Sequence, residues 1–192
     1  MSGPDSELML EFQRTGDEAL FEEIVSKYQK PLINFFYRLM WDRTEAEDLA
    51  QEVFCRIFVH RKSYEAKAKF STYLFRIARN LWIDHSRTQG KQPHMTSLSM
   101  PVHQDGRGEE LIDTIPAPQQ EMPESDTQVA RRLQNALEQL SEEQRLVFIL
   151  AKDQKMKYAE IADTLRIPLG TVRSRMHSAV QRLQALLRNA LD

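Results

Sequence analysis

YAEIADTLRIPLGTVRSRMHSAVQRL, residues Tyr158 to Leu183, holds two helical patterns with a break between them. Tyr158, Ile161, Ala162 and Leu165 recur at i, i+3, i+4 and i+7, the mark of a short helix with one buried face. Arg166, Ile167 and Pro168 then turn the chain, and Pro168 suits a first helical position. The second helix buries Val172, Met176, Ala179, Val180, Leu183 and Leu187. Its opposite face carries Thr171, Arg173, Ser174, Arg175, His177, Ser178, Gln181 and Arg182. A short helix, a tight turn and a polar, basic second helix are the parts of a DNA-reading helix-turn-helix. Its N-terminal turn would enter the major groove, with Arg173 or Arg175 on guanine edges or on phosphates. Two consecutive amphipathic helices with a solvated basic face share this pattern, so it needs support from the rest of the chain.

Upstream, Val129, Leu133, Ala136, Leu137 and Leu140 form an apolar stripe. Ser141 and Gln144 make a capping box that opens a helix through Leu146, Val147, Phe148 and Leu150. Residues 88–127 then break the helical pattern, with five of the chain's eight prolines and three of its six glycines. That stretch reads as a flexible linker, with Leu111, Ile112 and Ile115 as a small apolar group inside it.

The net charge of -2 is unevenly distributed. Residues 1–60 carry -6, residues 61–95 carry +6, residues 96–128 carry -6 and residues 129–192 carry +4. Two basic blocks separated by an acidic one point to two contacts with a polyanion, although charge blocks also occur as plain solvated faces.

The first basic block lies in another helical region. Leu20, Ile24 and Tyr28 share one face, and Pro31 is expected to begin a new helix through Leu32, Phe35, Phe36, Leu39 and Met40. Thr44 with Glu47 reads as a capping box for a helix to about Lys62. Leu49, Val53 and Ile57, with Ala50 and Phe54 beside them, are its buried stripe. The other face carries Glu45, Asp48, Gln51, Glu52, Cys55 and Val59, which suits a basic protein partner. A fourth helix spans Phe70 to Arg87, with Phe70, Leu74, Ile77 and Leu81 inward and Phe75 and Trp82 assigned to packing. One sector of it carries Thr72, Tyr73, Arg76, Asn80, Ile83 and Arg87, preceded by Tyr64, Lys67 and Lys69 in the loop Ser63 to Lys69. Basic groups interleaved with aromatics and an amide suit single-stranded nucleic acid, in which charge tracks the backbone and flat groups receive unstacked bases.

Strand signals are lacking, so the expected fold class is all-α: two small helical bundles joined by a flexible linker. One cysteine precludes an intramolecular disulfide and fits a reducing compartment. Met1 to Glu11 contains no apolar core of a signal peptide, and the longest apolar run is too short to span a bilayer, so a cytoplasmic location is expected. No phosphate-cradling glycine loop is visible, and His60, His85, His94 and His103 lack metal-ligand spacing. Neither a cofactor, a metal nor an enzymatic activity is expected.

The runs EAEDLAQEVFCRIF, FSTYLFRIARNLWIDHSR, LSEEQRLVFIL and YAEIADTLRIPLGTVRSRMHSAVQRL together resemble the extracytoplasmic-function sigma factors of bacterial RNA polymerase. The resemblance runs in the family's order over nearly the whole chain. It implies a region 2-type domain at 1–90, a linker at 91–127 and a region 4-type domain at 128–192. By that resemblance Asp48, Gln51, Glu52 and Cys55 face the polymerase. Tyr64, Lys67, Lys69, Tyr73, Arg76, Asn80 and Arg87 meet the melted -10 strand, and Thr171, Arg173, Ser174, Arg175 and His177 meet the -35 duplex. The implied partners are the clamp coiled coil and flap of core polymerase, promoter DNA as duplex and single strand, and an anti-sigma protein.

Two stretches depart from the family pattern. The loop before the -10 helix reads SYEAKAKF where glycines are frequent, which leaves its base preference open. KDQKMK stands where a glycine-containing turn commonly precedes the helix-turn-helix. Two rivals are a stand-alone helix-turn-helix regulator with a sensory domain and a helical adaptor or antagonist with little DNA contact. The basic, aromatic N-terminal helix argues against the first, and the charge partition against the second.

Overall fold

The computed structural model describes residues 3–88 and 128–188; the linker with its Leu111, Ile112 and Ile115 group lies outside the described residues. These fall into two units, and among the described residues there is no strand.

In the first unit, α1 spans Pro4–Thr15, with Pro4 in its first turn and Met9 and Phe12 buried. It stops at Gly16, whose positive φ of 72° suits glycine and whose N–H reaches the Phe12 carbonyl at 2.8 Å. The sequence reading did not include this helix. Asp17 caps α2, Glu18–Met40, by accepting the Ala19 N–H at 3.0 Å.

Pro31 lies inside α2 and does not begin a new helix as expected. An interior proline removes a helical hydrogen bond and costs about 3 kcal/mol. The stripe Ile24, Tyr28, Leu32, Phe35, Phe36 and Leu39 is buried on both sides of it. Each large apolar side chain contributes about 1.5–3 kcal/mol of burial, which outweighs the missing bond.

Trp41 ends α2 with φ at 60°, and α3 follows as Arg43–Val59. Its cap is Asp42, which accepts the Glu45 N–H at 2.9 Å, so the expected Thr44 and Glu47 box is not the cap. A 3-10 turn, Arg61–Ser63, and a loop lead to α4, Phe70–Thr88. Stacking of Phe12 on Phe21 at 5.0 Å joins α1 to α2, and the Phe35–Phe75 contact at 5.4 Å joins α2 to α4.

The second unit contains α5 (Gln128–Glu138), α6 (Glu142–Lys152), α7 (Tyr158–Leu165) and α8 (Leu169–Arg188). The Ser141 and Gln144 capping box is present, with bonds of 3.3 and 3.2 Å. Arg145 seals the turn before it, donating to the Glu138 and Leu140 carbonyls at 3.0 and 3.4 Å. Burial lowers its pKa, partly offset by the charges of Glu138 and Glu142. Leu137, Val147, Phe148, Ile161, Val172, Met176 and Leu183 form the core of this unit.

Candidate nucleic-acid interface

Arg166 lies between α7 and α8 with φ at 54°, its N–H bonded to the Ala162 carbonyl. The Thr171 and Val172 N–H groups reach the Pro168 carbonyl at 2.9 and 3.2 Å, which starts α8 immediately after the turn. This is the short-helix, turn, long-helix order that the sequence reading expects. Burying Val172 and Met176 turns Arg173, Ser178, Gln181 and Arg182 outward, all of them exposed.

The remaining candidates on α8 are less free. Ser174 donates its hydroxyl to the Thr171 carbonyl at 3.1 Å, and Thr171 and His177 are half-buried. Arg175 pairs with Glu143 on α6 at 2.8 Å, with side-chain exposures of 21% and 26%. Glu143 escaped the sequence reading because no local spacing links the start of α6 to α8. Lys155, Lys157 and Arg166 are exposed cations on the flanking turns. Lys155 has φ at 51°, so a lysine adopts the left-handed conformation in the KDQKMK turn.

In the first unit, Tyr73 is half-buried and Arg76 lies 5.9 Å over its ring, a cation–π pair at the edge of solvent. Asn80 is exposed and accepts from Arg79 at 3.2 Å, and Arg87 is exposed about two turns further along α4. Lys67 and Lys69 are exposed in the preceding loop, with Lys67 paired to Glu65.

Two residues differ from expectation. Tyr64 is only 3% exposed, because its ring packs edge-on against Tyr73 at 4.9 Å and Phe70 at 6.1 Å. Burial raises the pKa of both Tyr64 and Tyr73, which keeps these phenols neutral. Thr72 is also buried, on the inner face of α4. Tyr64 therefore supports the loop from beneath, and Tyr73 and Arg76 form the outer surface. Phe75 and Trp82 are buried, as the packing assignment requires.

On α3, Asp48, Gln51, Glu52 and Cys55 are exposed on one face, continued by Val59 at 67% exposure. Glu52 pairs with Arg56 at 2.8 Å and Glu47 with Arg43 at 2.8 Å, both one turn apart on the same helix. Leu49 and Ile77, both expected inside, are half-buried. Among the described residues no group of His, Cys, Asp and Glu has the arrangement of a metal site. No helix among them is long and apolar enough to cross a membrane.

Comparison with known families places Sigma-70 region 2 on residues 24–92 and Sigma-70 region 4 on residues 130–183. The chain is 33% identical to the ECF RNA polymerase sigma factor SigW of Bacillus subtilis, over 92% of this chain and 93% of that protein. It is 30% identical to the RNA polymerase sigma-H factor of Pseudomonas aeruginosa, over 97% of each. Among solved structures, the fold is similar to CnrH in complex with the cytosolic domain of CnrY, with a TM-score of 0.68 at 18% identity over 96% of this chain and 97% of that one. It is also similar to the sigma factor RpoE bound to the anti-sigma factor NepR from Bartonella quintana, with a TM-score of 0.65 at 24% identity over 88% and 96%. With both regions present in order and relatives 30% and 33% identical over more than nine-tenths of their length, the chain belongs to the extracytoplasmic-function sigma factors of RNA polymerase.

Proposed function

We propose that this protein is a non-catalytic initiation subunit that binds core RNA polymerase in the cytoplasm and selects promoters through two separated DNA contacts. The match to region 2 and region 4, each on its own folded unit, is the observation that carries this reading. Residues 1–90 would bind polymerase and melt the -10 element, residues 91–127 would connect the units, and residues 128–192 would read the -35 element. Asp48, Gln51, Glu52 and Cys55, exposed on one face of α3, would meet the clamp coiled coil. The flap and an anti-sigma protein complete the proposed partners, the latter by similarity to a relative solved with one.

Lys67, Lys69, Arg76 and Arg87 would track the single strand while the Tyr73 face and Asn80 receive unstacked bases. Stacking on an aromatic ring is worth roughly 1–3 kcal/mol per base, which helps to hold a base out of the duplex. Arg173, with Thr171, Ser174, Arg175 and His177 around it, would lie at the major groove. Binding both elements from one polymerase-bound chain makes their spacing part of recognition.

Run-off transcription from a pool of random promoters, with core polymerase alone and with the protein added, tests this reading. Initiation at templates sharing two spaced elements is the expected result. Tight duplex binding by the protein without stimulation of polymerase would overturn it.

A further inference from the structure

We propose that Gln13 is a positioning residue through which α1 holds the strand-capturing loop in its binding shape. A 3-10 turn leaves its last carbonyls without helical partners, although here the Arg61 carbonyl accepts the Tyr64 N–H at 3.1 Å. The Gln13 side-chain amide donates to the Arg61, Lys62 and Tyr64 carbonyls at 2.9, 3.0 and 3.0 Å. Two N–H groups serve these acceptors, so one N–H is shared. One side chain thereby fixes the path of the backbone between the end of α3 and Tyr64.

The other end of the loop is also tied to α1. Ser6 is fully buried, with its hydroxyl 3.5 Å from the Ala68 carbonyl. Asp5 accepts from the Tyr28 hydroxyl at 2.6 Å, and the Tyr28 ring packs against Phe70 at 5.3 Å. Arg61 lies over the Phe12 and Phe58 rings at 5.7 and 4.8 Å. The loop is thus pinned at both ends, with Glu65 and Lys67 exposed between them. A pre-ordered loop loses less conformational entropy when it takes up a strand. α1 lies before the region 2 match, which starts at residue 24.

This inference rests on the proposed role of the loop, so the experiment includes variants that test each separately. Gln13→Met keeps the size of the side chain and removes its donors. The polymerase-bound protein is titrated with the non-template -10 oligonucleotide recovered from the run-off selection, and with the -35 duplex. Single-strand affinity is expected to fall about tenfold while duplex and core affinities stay within about twofold. Tryptic cleavage after Lys67 and Lys69 should quicken. The double variant Lys67→Ala and Lys69→Ala tests the loop itself. If it weakens single-strand binding and Gln13→Met does not, the brace is wrong and the loop reading stands; if neither does, both are wrong. Equal loss of duplex, core and single-strand binding with early melting would make Gln13 a general stability residue and overturn the proposal. Should Gln13→Met not fold, Gln13→Ala, uncharged and small enough to let water reach the freed carbonyls, repeats the comparison.

Discussion

The Arg175 guanidinium lies 2.8 Å from the Glu143 carboxylate, which ties α8 to the first turn of α6. Arg173, two residues earlier on α8, is exposed. Similar in sequence, these two arginines have different surroundings, and their variants should separate. Arg173→Ala should weaken -35-dependent binding by about tenfold or more, the cost of a lost base contact, with the melting temperature unchanged. Arg175→Ala should lower the melting temperature by about 4–8 °C, corresponding to about 1 kcal/mol in a unit of this size. Thermal melting and duplex titration of the two variants check this; equal effects on both readouts would remove the distinction.

Lys155 and Arg166 hold left-handed backbone angles that disfavour a residue with a Cβ by about 1–2 kcal/mol. Glycine recovers that strain and loses about 0.5–1 kcal/mol to its freer unfolded chain. Lys155→Gly and Arg166→Gly should each stabilise the second unit by about 0.5–1 kcal/mol in urea unfolding. Lys155→Val should do the reverse.

Charge reversal on the outer face of α3 tests the partner assignment. Asp48 is exposed and no described bond engages its side chain, so Asp48→Lys should leave folding intact. Affinity for core polymerase should fall by about a hundredfold or more, since like charges across an interface cost several kcal/mol. A pull-down with core polymerase gives the answer, and an undiminished complex removes this face from the interface.

Acid stability of the first unit should depend on Asp5. Partial burial acts to raise its pKa, but hydrogen bonds from Lys27 and Tyr28 and the Lys27 charge together hold it below the ordinary 3.8. A depressed folded-state value means that the stabilisation is present above pH 3.8 and fades as the pH falls through the lower folded value. Asp5→Asn should therefore lower the melting temperature at neutral pH and flatten its fall toward pH 2. At the alkaline end Tyr28 acts oppositely: burial first, then its bond to Asp5, raise its pKa, so its stabilisation is lost as the pH climbs above 10.

The signals that could be read from sequence were those complete within one helix or turn. Ser141 with Gln144, and the apolar spacing from Tyr158 through Leu183, need no distant partner, and both give the observed elements. Pro31 is a local stop signal, overridden by packing of the side chains on either side. Asp42 and Thr44 are both good caps, and only the backbone angles distinguish them. α1 carried weaker signs: Pro4 in the first turn, Met9 and Phe12 three apart, and Gly16 at the stop. Tyr64 was misplaced because a loop has no periodicity to separate inside from outside. The Glu143–Arg175 and Gln13 contacts bridge 32 and about 50 residues of sequence, and no spacing rule reaches so far.

The Gln13 amide meets carbonyls 48 to 51 residues further along the chain. A ribosome adding about 5–20 residues per second incorporates Gln13 about 2–10 s before those acceptors exist. Until α2 is made and Phe21 can stack on Phe12, α1 is a single amphipathic helix too short to persist alone in water. Shape at the 61–69 loop is consequently a late acquisition of the nascent chain, reached only after α2 and α3 have been made.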